Sequence, residues 1–158
     1  MKNYAKIILY AYPLLETVEK DYEEHIGNKA ILSYDGRWTA EQMAEYLAGE
    51  ILEMRRLEWL KNTVRERLER LSEEERTLIA IRYFGKRKDL KKLLDKKGKG
   101  WTERSYFRRQ AKLLGKLKEA FALAGITEDV YVREFSDMDI FKRVEKAVEK
   151  MKLSRKRQ

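Results

Sequence analysis

Apolar side chains recur along most of this chain at steps of three and four, the period of a helix with one buried face. The first run is Tyr4, Ile7, Ile8, Leu15, Val18 and Tyr22. Pro13 falls inside it, and a proline lacks an amide donor and clashes with the preceding turn. The pattern predicts a short helix before Pro13 and a second one starting at it, ended by Gly27 and Asn28. Residues 29–37, which include the turn pair Asp35-Gly36, read as a loop. A longer stripe follows: Met43, Leu47, Ile51, Met54, Leu57, Leu60, Val64, Leu68 and Leu71. Thr39-Ala40-Glu41-Gln42 opens it as a capping box, in which the hydroxyl and the amide side chain each satisfy a free backbone donor. The predicted helix has about nine turns. Its steps do not keep a strict heptad, which favours core packing over a coiled-coil seam; a helix joining two subdomains is the other arrangement it allows.

A second capping box, Ser72-Glu73-Glu74-Glu75, starts a helix to Phe84, with Leu78, Ile81 and Tyr83 or Phe84 as apolar contacts and Gly85 as its stop. The acidic first turn suits the positive end of the helix dipole. A short basic helix is expected from about Lys88 to Lys96, carrying Leu90, Leu93 and Leu94, followed by a turn at Gly98-Lys99-Gly100. Thr102 then caps a helix from Glu103 to Ala124, ended by Gly125. Residues 126–136 read as a linker. Asp137 is expected to cap a last helix to about Met151, with Phe141, Val144, Val148 and Met151 on one side, and residues 154–158 form a basic tail expected to fray. The predicted fold class is all-α, divided into an N-terminal helical region (1–70), a helix-turn-helix region (71–125), and a linker with a C-terminal helix (126–158).

Composition narrows what such a fold does. Of 158 residues, 43% are hydrophobic, enough for a core, and 40% are charged, well above the globular norm. Cysteine is absent, which excludes disulfides and thiolate metal sites. No apolar run has the length of a membrane span, and residues 1–15 lack the form of a signal peptide, so a cytoplasmic protein is expected. The formal net charge is +9, and its placement is uneven. Residues 86–118 hold 14 Lys or Arg against 3 Asp or Glu, a net of +11, whereas residues 1–85 carry −3 and residues 119–158 carry +1. An excess concentrated in one window is the electrostatic footprint of polyanion binding.

The helix from Glu103 to Ala124 lies inside that window. At about 100° per residue, Tyr106, Gln110, Leu113, Leu114, Leu117, Phe121 and Ala124 share one arc, with Phe107 at its edge. Arg104, Ser105, Arg108, Lys112, Gly115, Lys116 and Glu119 share the opposite one, flanked by Arg109. One oily face and one basic face, with the basic residues towards the N-terminus, is how a recognition helix is built. Arg104, Arg108 and Arg109, with Ser105, are the candidates for base edges, because a guanidinium fork hydrogen-bonds guanine O6 and N7 together. Lys112 and Lys116 are candidate phosphate contacts, as are Lys97 and Lys99 in the turn, together with Lys96 and the Lys86-Arg87-Lys88 run. Thr102, the cap, stands where the helix would enter the groove. Gln110 sits mid-arc among apolar residues; either it makes a buried hydrogen bond or the phase is slightly off. Gly115, on the basic face, either allows close backbone approach or is a neutral surface position.

These segments resemble the C-terminal DNA-binding region of bacterial sigma factors, region four. Leu71-Ser72-Glu73-Glu74-Glu75-Arg76-Thr77-Leu78-Ile79-Ala80-Ile81-Arg82-Tyr83-Phe84 resembles that family's opening helix. Trp101-Thr102 stands where the family has an apolar residue followed by Ser or Thr, and Leu113-Leu114-Gly115-Lys116-Leu117-Lys118 resembles its closing run. The chain departs at the second helix, where Leu90-Lys91-Lys92 replaces an acidic residue followed by Ile-Ala, and at Glu103, where the family tends to a basic residue. It has no region for the second promoter element. The chain is therefore more similar to small phage and prophage late-gene regulators of the ArpU and RinA type. The resemblance implies a helix-turn-helix that binds double-stranded DNA, and a transcription regulator, as an activator, working with RNA polymerase.

Two other functions fit the same pattern: an accessory DNA-binding factor for excision or packaging, and a sigma mimic that binds protein. The +11 window argues against the last, since protein interfaces avoid such charge density. An enzyme is not expected. His25 is the lone histidine, Gly98-Lys99-Gly100 lacks the spacing of a phosphate-binding loop, and no cofactor or metal set assembles. A homodimer is expected from the stripes Met43 to Leu71 and Phe141 to Met151.

Overall fold

The computed structural model describes residues 3–32, 38–86 and 102–156. Every regular element among them is helical. The basic helix expected at Lys88 to Lys96, the turn at Gly98-Lys99-Gly100 and the turn pair Asp35-Gly36 lie outside the described residues.

Helix α1, Tyr4–Ala11, starts where the Asn3 side chain accepts from the Lys6 amide at 3.3 Å. Tyr4, Ala5, Ile7, Ile8, Leu9 and Ala11 are all buried. A helix apolar nearly all round belongs inside a core. Pro13 occupies a single 3₁₀ turn, Tyr12–Leu14, and α2 runs Leu15–Leu32. The expected stop at Gly27 and Asn28 is therefore wrong, as is the loop reading of residues 29–32. The reason is conformational: among the described residues only Gly85 and Gly125 take positive φ, so Gly27 stays in the right-handed region that continues a helix.

Helix α3, Ala40–Glu69, carries the expected box: the Gln42 amide donates to Thr39 Oγ1 and the Thr39 amide to Gln42 Oε1, both at 3.1 Å. Helix α4, Glu73–Tyr83, has the second, with the Glu75 amide donating to Ser72 Oγ at 3.2 Å and the Ser72 amide to Glu75 Oε1 at 3.1 Å. Gly85, at φ 76°, ends it, and the Ala80 carbonyl accepts from both the Phe84 and Lys86 amides. Helix α5, Glu103–Leu123, is capped by Thr102 and closed by Gly125 at φ 97°.

Residues 126–136 are not a linker. Thr127 Oγ1 accepts from the Val130 amide to cap a short helix α6, Glu128–Val130, which passes into a π-helical turn, Tyr131–Phe135. Ile126, Tyr131 and Phe135 are buried there; apolar anchors every four or five residues fix backbone that a linker would leave to water. Helix α7 runs Asp139–Lys156, one residue later than a cap at Asp137 would start it; Met138 stands at its start, its carbonyl accepting from the Lys142 amide. It continues through residues 154–156, so the tail expected to fray is helical that far.

The chain separates into two units, residues 1–13 with 63–158, and residues 14–62. In the larger unit α5 and α7 pack on α1, and α4 packs on α5. Phe141, Val144 and Val148 are buried in that core. That stripe is covered by its own chain and gives no ground for dimerisation. Rings fill the remaining space: Tyr131 and Phe135 both meet Phe141 edge-on, and Tyr10 meets Tyr83 at 4.7 Å. The smaller unit is α2 with the first three-quarters of α3, up to Asn62. Polar bridges join these helices: Tyr22 Oη donates to Glu53 at 2.8 Å, Lys61 pairs with Glu19 at 2.6 Å, and His25 Nε2 lies 2.8 Å from Tyr46 Oη. Among the described residues no helix is long and apolar enough to cross a membrane.

Candidate nucleic-acid interface

The basic helix is held in place from beneath. Tyr106, Gln110, Leu113, Leu117 and Phe121 are buried along one side of α5, and Leu114 and Ala124 are half-buried. Gln110, the polar member of that arc, makes the buried bonds: its Nε2 donates to the Leu78 carbonyl at 2.6 Å and lies 3.0 Å from Tyr106 Oη. One side chain thus ties α5 to a mid-helix carbonyl of α4, while its Oε1 has no partner among the described residues. Nearby, burial pushes the Tyr83 hydroxyl up to about 12, and that hydroxyl too is without a partner among the described residues. The bond from Gln110 Nε2 to the Leu78 carbonyl favours a single packing of α4 on α5 rather than a sliding oily contact.

The opposite side of α5 divides into two rows. Arg104, Arg108 and Lys112 are exposed and make no ion pair with a described residue. Their spacing of four puts them on one ridge. Gly115 continues the ridge; a Cβ there would meet nothing within 4 Å, so no contact within the chain demands a glycine. Arg109 and Lys116 form the second row, one face over, turned towards α4. Arg109 Nη1 bonds Glu74 Oε1 and Lys116 Nζ bonds Glu75 Oε2, each at 2.9 Å. The Lys116 ammonium, followed by the Ser72 amide, holds the Glu75 carboxyl below its usual range. Between the rows and the first turn of α4 lies a groove of about 790 Å³ lined by Glu74, Glu75, Leu78, Arg108, Arg109, Lys112, Leu113 and Lys116.

The structure thus brings Arg104, Arg108, Arg109, Lys112 and Lys116 onto one helix surface. Ser105 is half-buried and its amide is held by Thr102 Oγ1 at 3.1 Å, so both residues serve the helix start. Lys97 and Lys99 lie outside the described residues. Glu74 and Glu75 were missed as members of the site. The run Ser72-Glu73-Glu74-Glu75 signalled a cap and a dipole, but only the pairing of α4 with α5 shows that two of its carboxylates face cations 35 and 41 positions away. Lys118, also in the basic window, lies over the Tyr4 ring at 5.4 Å, away from the ridge. Among the described residues no group of three or more His, Asp or Glu could hold a metal ion.

Against known protein families, curated proteins and solved structures, the chain finds no match.

Proposed function

We propose that this protein is a sequence-specific regulator of transcription that binds duplex DNA in the cytoplasm, with α5 as the recognition helix of a sigma-like helix-turn-helix, and that it acts as an activator with RNA polymerase. The observation that carries the reading is the ridge of Arg104, Arg108 and Lys112, exposed opposite a buried apolar arc inside the +11 window. Eight residues of helix rise about 12 Å, the width of the major groove of B-DNA. The two arginines have the fork that reads guanine, and Lys112 suits a phosphate as a point charge. Gly115 leaves room beside them for the sugar-phosphate backbone.

Arg109 and Lys116 enter in a different way. Exposed ion pairs contribute only about 0–1 kcal/mol, so a phosphate can displace Glu74 or Glu75 at little cost. Binding then releases counterions from the ridge and breaks ion pairs on its flank, and affinity falls steeply with salt.

Selection from a random duplex pool at two salt concentrations tests this, with wild type beside Arg104→Ala/Arg108→Ala. An enriched motif that the double variant loses supports the reading. Weak, motif-free binding that the double variant leaves unchanged refutes it.

A further inference from the structure

Helix α3 has a second face, turned away from the residues that bridge to α2. Tyr46, Glu53 and Lys61, which meet α2 through Tyr22, His25 and Glu19, lie on one half of the helix. The half-buried stripe Met43, Leu47, Ile51 and Met54 lies beside them at about 100° per residue. Leu52 and Trp59 stand on the opposite side, seven residues apart, and remain 50% and 41% exposed. Large apolar side chains in line on one helix face mark a contact surface more than scattered ones do.

The charges on that face are ordered. Glu41 and Glu45 lie at its N-terminal end, Arg55 and Arg56 at its C-terminal end, and none of the four makes an ion pair with a described residue. Between them Ala48 and Gly49 leave the helix surface low, and a Cβ on Gly49 would meet nothing within 4 Å.

We propose that this face pairs with the same face of a second copy of the chain, antiparallel, about a two-fold axis near residues 50–51. A two-fold contact needs a self-complementary surface, and this order of groups supplies one. Reversing the partner sets Leu52 of each copy over Ala48 and Gly49 of the other, where small residues admit it. The same reversal sets Glu45 of each copy against Arg55 and Arg56 of the other, and Trp59 over the partner's first turn at Glu41. A parallel pair sets Glu45 against Glu45 and arginine against arginine, so charge selects the antiparallel one.

The proposal is independent of DNA binding and is tested without DNA, by sedimentation equilibrium of the full chain up to about 100 μM, a concentration that populates weak dimers. Wild type sediments at twice 19.0 kDa. Glu45→Arg alone, and Arg55→Glu/Arg56→Glu alone, each weaken the dimer about tenfold or more, with helix content by circular dichroism unchanged. An equal mixture of the two variants dimerises again, because each junction then joins opposite charges. A 19.0 kDa monomer throughout overturns the proposal and leaves the face to a different protein. A dimer untouched by either reversal, or a mixture that fails to recover, overturns it as well.

Discussion

The two units of this chain are built on different terms. In the larger one a broad apolar core is closed to water, with Ile8, Leu9, Leu117, Phe121, Phe135 and Phe141 at 0–1% exposure and rings locking the space between helices, while Phe107, Leu123, Val132 and Leu153 stay at its surface. In the smaller one, Leu15, Leu57 and Leu60 are fully buried, the stripe Met43, Leu47, Ile51 and Met54 is only half-buried, and α2 and α3 are joined by Tyr22–Glu53, His25–Tyr46 and Lys61–Glu19. Apolar burial stabilises in proportion to the area removed from water, whereas partly exposed polar pairs contribute little because water already satisfied both partners. The DNA-reading role proposed for α5 needs the first kind of foundation, since side chains that meet a groove must be held in register. A helical pair that leaves Leu52 and Trp59 outside has the second kind, with apolar surface still to bury.

The comparison is sharpest at its apolar positions. Phe121→Ala empties a fully buried site under α5 and is expected to cost about 3–5 kcal/mol. Leu47→Ala, at a half-buried position of the smaller unit, is expected to cost about 1 kcal/mol, half the burial of a leucine. Urea unfolding of both variants measures the difference; equal losses would erase the distinction between the units. Gln110→Leu comes next. It keeps the volume but leaves the Leu78 carbonyl and the Tyr106 hydroxyl facing an apolar side chain, a loss of about 1–3 kcal/mol. A variant as stable as wild type would show that the buried amide, with its own unpaired oxygen, carries no net stability.

How far the sequence reveals this molecule depends on where the information lies. Both capping boxes, both glycine stops with positive φ and the oily arc of α5 were legible, because caps and helical period are local. Gln110 was legible as an anomaly, though its partner Leu78 was not, since that contact joins two helices. Gly27 misled because a glycine ends a helix only when the backbone turns left-handed there. Residues 126–136 misled because Ile126, Tyr131 and Phe135 step by five and four across a cap, one short helical turn and a π-helical turn, a pattern with no sustained helical period to read. The place of α1 at the centre of the larger unit was visible only as a dense apolar run, and its neighbours α5 and α7 lie about a hundred residues downstream.

Smaller effects separate local from tertiary polar terms. Ser72→Ala removes one half of the α4 box and is expected to cost about 1 kcal/mol. The same site makes stability depend on pH. Glu75 ionises below its ordinary 4.5 in the fold because of Lys116 and the Ser72 amide. Its contribution is therefore complete above about pH 4.5 and is lost as pH falls through the lower folded value. Lys116→Met should flatten that part of the profile, measured as thermal midpoint against pH between about 3 and 6; an unchanged slope would assign the acid sensitivity to other carboxylates.

The smallest effect is expected in the smaller unit. Tyr22→Phe keeps the ring and deletes only the hydroxyl that donates to Glu53 at 2.8 Å. Both side chains are partly open to water, so the Glu53 carboxylate regains a solvent partner and the loss should stay near 0.5 kcal/mol, the low end for a net hydrogen bond. Urea unfolding resolves such a shift when the slope with denaturant is unchanged. A loss of about 2 kcal/mol or more would mean that the bridge is shielded and that α2 and α3 form a tighter pair than their exposed surface implies. In that case Leu52 and Trp59 would sit on a rigid face, already shaped for a second copy. A loss near 0.5 kcal/mol instead leaves the pair adjustable, with part of its stability supplied when that face is covered.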